Sequence, residues 1–200
     1  MRKNLLNIYY ILIERLISPR LHTYFSPNVV SLVALGVSFA ACMLYINGCF
    51  FAGGVVLLFS GFLDTIDGTI ARLTKRSTRF GALLDSVLDR YSDFFILAGF
   101  LIYYRYQWMF FVIILAILGS FMVSYVKARA ETLGKTRVLG LMQRPERILL
   151  IVTGSLLTLP ASWYDSSYQE IPIIVVLCLL SLLTNTTALH RFWAAKHDLL

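Results

Sequence analysis

Apolar residues run along this chain in long blocks, separated by short polar or charged connections. A helix needs about 20 mostly apolar residues to cross a hydrocarbon core. Residues 29–47 qualify, and so do residues 50–66, although their end contains Asp64. Residues 94–104 are apolar but short, and span only as part of a helix that begins near Gly81. Residues 108–126 qualify, residues 148–160 span if their helix begins near Arg144, and residues 171–188 qualify again. The pattern predicts an all-α, polytopic membrane protein with six transmembrane helices. Residues 5–17 differ: they are largely apolar but hold Glu14 and Arg15, and they are too few to span. With Pro19 and Pro27 behind them and no small-residue cleavage site, they predict an interfacial amphipathic helix rather than a signal peptide. The chain thus divides into an interfacial segment, 1–26, and a transmembrane domain, 27–200. No internal repeat, low-complexity tract or linker to a further domain stands out.

Composition strengthens the membrane reading. Hydrophobic residues make up 58% and charged residues 14%, with a mean hydropathy of +0.73. Soluble domains carry roughly 25% charged residues, so a disordered chain, a coiled coil and an ordinary soluble enzyme are excluded. Cys42, Cys49 and Cys178 sit in apolar runs without CxxC spacing, which points to neither a disulfide framework nor zinc. The net charge of +7 fits basic loops facing anionic lipid or phosphate rather than nucleic acid. Sixteen of the 18 lysines and arginines fall on one side of the predicted topology. The positive-inside rule makes that side cytoplasmic, with both termini on it, in a cell membrane. Trp108, Trp163 and Trp193 lie at helix ends as interface anchors, and His22, His190 and His197 read as interfacial or solvated.

Five of the 11 acidic residues are crowded between positions 64 and 93, at the ends of the second and third spans. A carboxylate in hydrocarbon costs roughly 2.5–3.5 kcal/mol on insertion scales, so it survives by facing a cavity, a partner or a metal. Asp64 and Asp67 are three apart, and Asp85 and Asp89 four apart, so each pair shares a helix face. A short basic loop joins the two helices, and antiparallel packing would bring four carboxylates to one point. Oxygen ligands without histidine or thiolate suit Mg²⁺, Mn²⁺ or Ca²⁺, and four carboxylates suit two ions better than one. Gly68 and Gly81 allow close approach, and Arg72 offers a planar fork to phosphate oxygens. Asp93 continues the Asp85/Asp89 face by another turn in a supporting position. The plainer alternative is ion pairing of these aspartates with Arg72, Arg76, Arg79 and Arg90. A cation transporter is a remote alternative, against which stand the carboxylates' position near the span ends and the missing inverted repeat.

The second half holds cations at three span ends: Lys127, Arg147 and Arg191. At one depth they would form a cationic pocket beside the carboxylates, suited to a phosphate-bearing ligand. Arg144 is an open alternative to Arg147.

Residues 64–89 read D-x2-D-G-x2-A-R-x8-G-x3-D-x3-D. This resembles the signature of the CDP-alcohol phosphatidyltransferases at every fixed position: Asp64, Asp67, Gly68, Ala71, Arg72, Gly81, Asp85 and Asp89. The resemblance implies transfer of a phosphatidyl or archaetidyl group from CDP-diacylglycerol or CDP-archaeol to an alcohol, with release of CMP, in a protein that usually forms homodimers. It implies two divalent ions, Mg²⁺ or Mn²⁺, on the four aspartates, and Asp89 as the general base. It places Gly68, Arg72, Thr78, Asn28 and Ser31 on the nucleotide, with Ser31 standing where the family usually has threonine. The segments 78–90, 124–131 and 145–147 resemble the prokaryotic phosphatidylinositol-phosphate and archaetidylinositol-phosphate synthases. That branch implies inositol 1-phosphate as acceptor, gripped at Lys127, Arg147 and Arg191. Glycerol 3-phosphate is the alternative acceptor. Against it, phosphatidylglycerophosphate synthases usually carry a DPxADK-like form where this chain has Asp85-Ser86-Val87-Leu88-Asp89-Arg90.

Overall fold

Short turns and helix-ending residues divide the apolar blocks of the described residues into six long helices. The computed structural model describes residues 27–73, 78–134 and 140–199, with the backbone alone at 27, 65–73 and 197–199. The expected interfacial helix of residues 1–26 lies outside the described residues. The helices are α1 (Pro27–Ile46), α2 (Phe50–Leu73), α3 (Arg79–Tyr103), α4 (Met109–Thr132), α5 (Arg144–Tyr164) and α6 (Ile171–Leu199). A 3₁₀ turn (Ser166–Tyr168) precedes α6, and no strand occurs among the described residues.

Local chemistry sets the boundaries. Gly48, at φ +73°, turns the chain between α1 and α2, a conformation that L side chains rarely adopt. Thr78 caps α3 by accepting a 2.9 Å hydrogen bond from the Gly81 amide. Gly134, at φ +93°, follows the end of α4. Asp165 accepts from the Ser167 amide at 2.8 Å, which holds its carboxyl below the ordinary range. Three helices run past the apolar blocks that predicted them: α2 to Leu73, α4 to Thr132 and α6 to Leu199. Hydropathy measures how far a segment is apolar, whereas helix continues wherever propensity allows. The strong helix formers Lys127-Ala128-Arg129-Ala130-Glu131 carry α4 onward. By length and hydropathy, α1, α4, α5 and the α6 segment are able to cross a membrane. The apolar part of α2 is shorter, Phe50–Asp64, and α3 carries Asp85, Asp89 and Asp93.

Neighbouring helices close a ring in the order α1, α2, α5, α6, α4, α3. Leu58, Phe59, Phe111, Leu149 and Leu182 stand exposed on its outside, where lipid is the solvent that accepts them. Inside, a continuous core runs through Tyr45, Phe50, Leu57, Ile96, Phe100, Met109, Ile113, Ile151 and Leu177. Tyr45 stacks on Phe100 with ring centroids 4.1 Å apart. At this end the Tyr103 and Tyr104 hydroxyls donate to the two carboxylate oxygens of Glu170, at 2.6 and 3.0 Å. That latch ties the α3–α4 turn to the connection before α6.

Because lipid gives helices no hydrophobic reason to associate, small residues and polar links hold such a ring. A Cβ on Gly119 would stand 2.3 Å from Thr184 Oγ1, so α4 and α6 meet only because that position is glycine. Between α1, α2 and α3 the Ser38 hydroxyl lies 2.8 Å from that of Ser60 and 2.7 Å from that of Ser92. Ser60 also donates to the Ala34 carbonyl at 2.9 Å. The Ser38 hydroxyl also lies 3.0 Å from the Ala34 carbonyl, so Ser38 and Ser60 share that acceptor while Ser92 closes the knot through Ser38. Ser60 lies one turn before Asp64, and Ser92 lies three residues after Asp89. The knot therefore fixes the heights of the two helices that carry the carboxylates.

Candidate active site

At the ring end opposite the tyrosine latch, the polar residues gather. Asp64 of α2 and Asp85 and Asp89 of α3 each present a carboxylate oxygen, and these oxygens lie within 4.8 Å of one another. The expected meeting of the two helices thus occurs, mediated by α1, which packs against both. Asp67, Gly68 and Arg72 lie on the last turns of α2, and the side chains there are outside the described residues.

Among the described residues, the guanidinium that ion-pairs with this cluster comes from α5; the side chains of Arg72 and Arg76, which the sequence also offered, lie outside the described residues. Arg144, at the start of α5, donates through Nη1 to Asp64 Oδ2 at 2.6 Å and stands 2.8 Å from Asp89 Oδ1. Its Nε lies 3.7 Å from Asp93 Oδ1. Arg147, one turn on, donates through Nη2 to Asp93 Oδ2 at 2.5 Å and through Nη1 to the Met142 carbonyl at 3.3 Å. Arg90 turns back to the Ser86 carbonyl of its own helix. Among the described residues, two guanidiniums thus stand among the four carboxylates Asp64, Asp85, Asp89 and Asp93. Hard oxygen donors at this separation fit a divalent ion such as Mg²⁺, Mn²⁺ or Ca²⁺.

Beside the cluster lies a cavity of about 260 Å³, whose lining includes Asp89, Lys127, Arg144, Arg147 and Arg191. The structure therefore brings Lys127, Arg147 and Arg191 to one space, and puts Arg144 there as well. Arg147 and Arg191 are 4% and 2% exposed, so both charges are buried and pre-positioned. Arg191 donates to the Val123 carbonyl at 2.8 Å, and a Cβ on Gly140 would stand 2.4 Å from its Nε, so the backbone before α5 lies directly over it. Lys127 is more open and lies 3.9 Å from Glu131. Sequence reasoning did not single out Ser124 and Gln143, which also line the cavity. Both are neutral, and only their placement on α4 and before α5 marks them.

Around Gly81, Thr78 and Asn28 come together. A Cβ on Gly81 would stand 3.1 Å from Thr78 Oγ1 and 3.5 Å from Asn28 Oδ1. Ser31 follows one turn later on α1. On the other side of Arg144 an apolar groove of about 640 Å³ opens between α2 and α5, lined by Val55, Leu58, Phe59, Phe62, Ile148 and Val152 and reaching Asp64. Beneath the carboxylates the ring is filled by its aromatic and aliphatic core, which gives no support to the transporter alternative.

Carboxylates at the rim of a membrane bundle, with a small cationic cavity on one flank and an apolar groove on the other, define an enzyme that joins a polar anion to a lipid. The chain belongs to the CDP-alcohol phosphatidyltransferase family, whose model matches residues 24–193, and it is a transferase of that kind. It is 38% identical to an archaetidylinositol phosphate synthase of Methanothermobacter thermautotrophicus over 155 residues, 77% of this chain and 78% of that one. It is 31% identical to a phosphatidylinositol phosphate synthase of Mycobacterium tuberculosis over 180 residues, 85% of this chain and 80% of that one. The crystal structure of the M. tuberculosis enzyme with CDP-DAG bound superposes with a TM-score of 0.76 at 29% identity, covering 94% of both chains. The same enzyme in complex with manganese and citrate gives 0.77 at 29% identity, covering 88% of this chain and 85% of that one.

Proposed function

We propose that this protein transfers a phosphatidyl or archaetidyl group from a CDP-linked lipid to inositol 1-phosphate and releases CMP. One observation carries the acceptor: Asp89 and the cations Lys127, Arg147 and Arg191 line the same cavity. At about 260 Å³ it suits a small polar molecule rather than a lipid. The buried guanidiniums in its lining suit a phosphate monoester, and the Asp89 carboxylate in the same lining can accept a hydroxyl proton. The inositol-phosphate relatives, and the CDP-DAG and manganese complexes of one of them, support the same assignment.

In this reading Asp64, Asp67, Asp85 and Asp89 hold two ions, Mg²⁺ or Mn²⁺. Bound there, the ions offset the charge of the diphosphate and of the departing CMP. The chain's own residues do the rest. Arg147 and Arg191, with Lys127, hold the acceptor phosphate. Asp89 takes the proton of the attacking hydroxyl onto a carboxylate oxygen. That hydroxyl oxygen bonds to the phosphorus that carries the lipid, the bond from this phosphorus to the CMP oxygen breaks, and CMP leaves with the electron pair. Asn28, Ser31, Gly68, Arg72 and Thr78 surround the nucleotide. The groove between α2 and α5 takes the lipid chain, since it is apolar and ends at Asp64. The protein works as a homodimer whose six helices all span the membrane, with the interfacial segment 1–26, both termini and the site on the cytoplasmic side.

The test is CMP release by the purified full chain with Mg²⁺ or Mn²⁺, using CDP-diacylglycerol and CDP-archaeol as donors. Inositol 1-phosphate, glycerol 3-phosphate, serine and inositol are compared as acceptors. Release that depends on inositol 1-phosphate and falls at least a hundredfold in Asp89→Asn is expected, as for loss of a general base. Release that depends on glycerol 3-phosphate instead overturns the acceptor assignment and leaves the transfer chemistry in place.

A further inference from the structure

Arg144 occupies a position that a phosphate-gripping residue alone does not need. Its Nη1 reaches Asp64 Oδ2 and Asp89 Oδ1 together, at 2.6 and 2.8 Å. Both carboxylates belong to the cluster able to hold a metal ion. Meanwhile its Nε is buried without a hydrogen bond and lies 3.7 Å from Asp93 Oδ1. This guanidinium is therefore strongly held at one nitrogen and poorly satisfied at another. It also lines both the acceptor cavity and the apolar groove, so it stands at the wall the two share. A divalent ion drawing on the same oxygens would face a like charge within a few ångströms, in a setting screened little by water.

We propose that Arg144 is a built-in competitor of the divalent ion, which releases Asp64 and Asp89 as the ion binds and turns its freed charge to the acceptor cavity. This rests on the metal reading of the aspartates given above and assigns Arg144 a role distinct from Arg147. Arg147 is anchored on Asp93 and the Met142 carbonyl. Arg144 has a second place to go, because the cavity it already borders is where acceptor phosphate sits. Coupling follows by linkage: the ion raises affinity for the acceptor phosphate, and the phosphate raises affinity for the ion by the same factor. A guanidinium fixed on the two carboxylates would repel the ion as well, so what marks the mobile role is the coupling between ion and phosphate, which is lost when Arg144 is removed.

The experiment titrates Mn²⁺ into the purified full chain without any CDP-lipid. The electron paramagnetic resonance signal of free Mn²⁺ is read for wild type, Arg144→Gln and Arg144→Lys, with and without inorganic phosphate. Expected is roughly tenfold tighter Mn²⁺ binding in Arg144→Gln, within the usual range for coupled sites. Arg144→Lys, which keeps the charge without the fork, should fall between. Phosphate should tighten Mn²⁺ binding more in wild type than in Arg144→Gln. If Arg144→Gln elutes as a folded peak yet binds Mn²⁺ no tighter than wild type, the competitor role is overturned and the metal reading stands. If Arg144→Gln does not fold, Arg144→Lys carries the same comparison. If neither wild type nor variants bind Mn²⁺, the metal reading itself is overturned and the competitor role falls with it.

Discussion

Arg147 shows what a single side chain contributes at this site. It is nearly sealed from solvent and balanced by Asp93. Its planar fork can hold Asp93 and a phosphate oxygen at once, which a lysine ammonium does with poorer geometry. Arg147→Lys is therefore expected to raise the KM for the acceptor about tenfold with little change in kcat, the mark of lost binding common to ground and transition states. Steady-state kinetics against acceptor concentration checks it. Asp93→Asn leaves the buried guanidinium without its counter-charge and is expected to cost about 3 kcal/mol of stability, read as a lower unfolding midpoint in detergent. At this scale much was legible in the sequence. The i, i+4 spacing of Asp85 and Asp89 fixed a shared face, and span-end positions grouped Lys127, Arg147 and Arg191. The division of labour between Arg144 and Arg147 was not legible. Both sit in the first turn of α5, three residues apart, and the direction each takes depends on carboxylates more than 50 residues away.

Among the helices, registration is the main task. Three serine hydroxyls and one glycine do more of it than their size implies. Interhelical hydrogen bonds in membranes average only about 0.6 kcal/mol, but Ser38 stands at the centre of a knot joining three helices. Ser38→Ala is expected to lower stability by about 1 kcal/mol, whereas Ser38→Thr, which keeps the hydroxyl, should lose less. Gly119→Val should be worse than either serine variant, since the side chain would enter space held by Thr184 and Asn185. Thermal unfolding in one detergent compares all three. The existence of the six helices could be read from hydropathy, as could the start of α5 near Arg144. The lengths of α2, α4 and α6 could not, because apolarity stops at the water boundary and hydrogen-bonded helix does not. Nor could the serine knot, which requires knowing that α1 stands between α2 and α3.

The molecule as a whole is a ring with one chemical end and one sealed end. If the chemical end is cytoplasmic, Cys49 in the α1–α2 turn faces outward. Cys49 is exposed, Cys42 is buried and Cys178 is half-buried. A membrane-impermeant maleimide should therefore label wild type in sealed right-side-out vesicles, and Cys49→Ser should lose that label. Labelling of Cys49 only after the vesicles are opened would reverse the assigned orientation.

The sealed end has a consequence for where the product goes. Tyr45, Phe50, Phe100, Tyr104 and Met109 fill the ring beneath the carboxylates, so a charged headgroup made at the rim has no passage through the bundle. The groove between α2 and α5 opens sideways at the same depth as Asp64. If that groove holds the lipid chain, as proposed above, the finished lipid leaves along it into the monolayer from which its precursor came. In that reading synthesis is one-sided, and each turnover exchanges one lipid headgroup for another within a single leaflet while leaving its number of lipid chains unchanged. A route for this headgroup to the opposite face lies outside the filled core of this bundle.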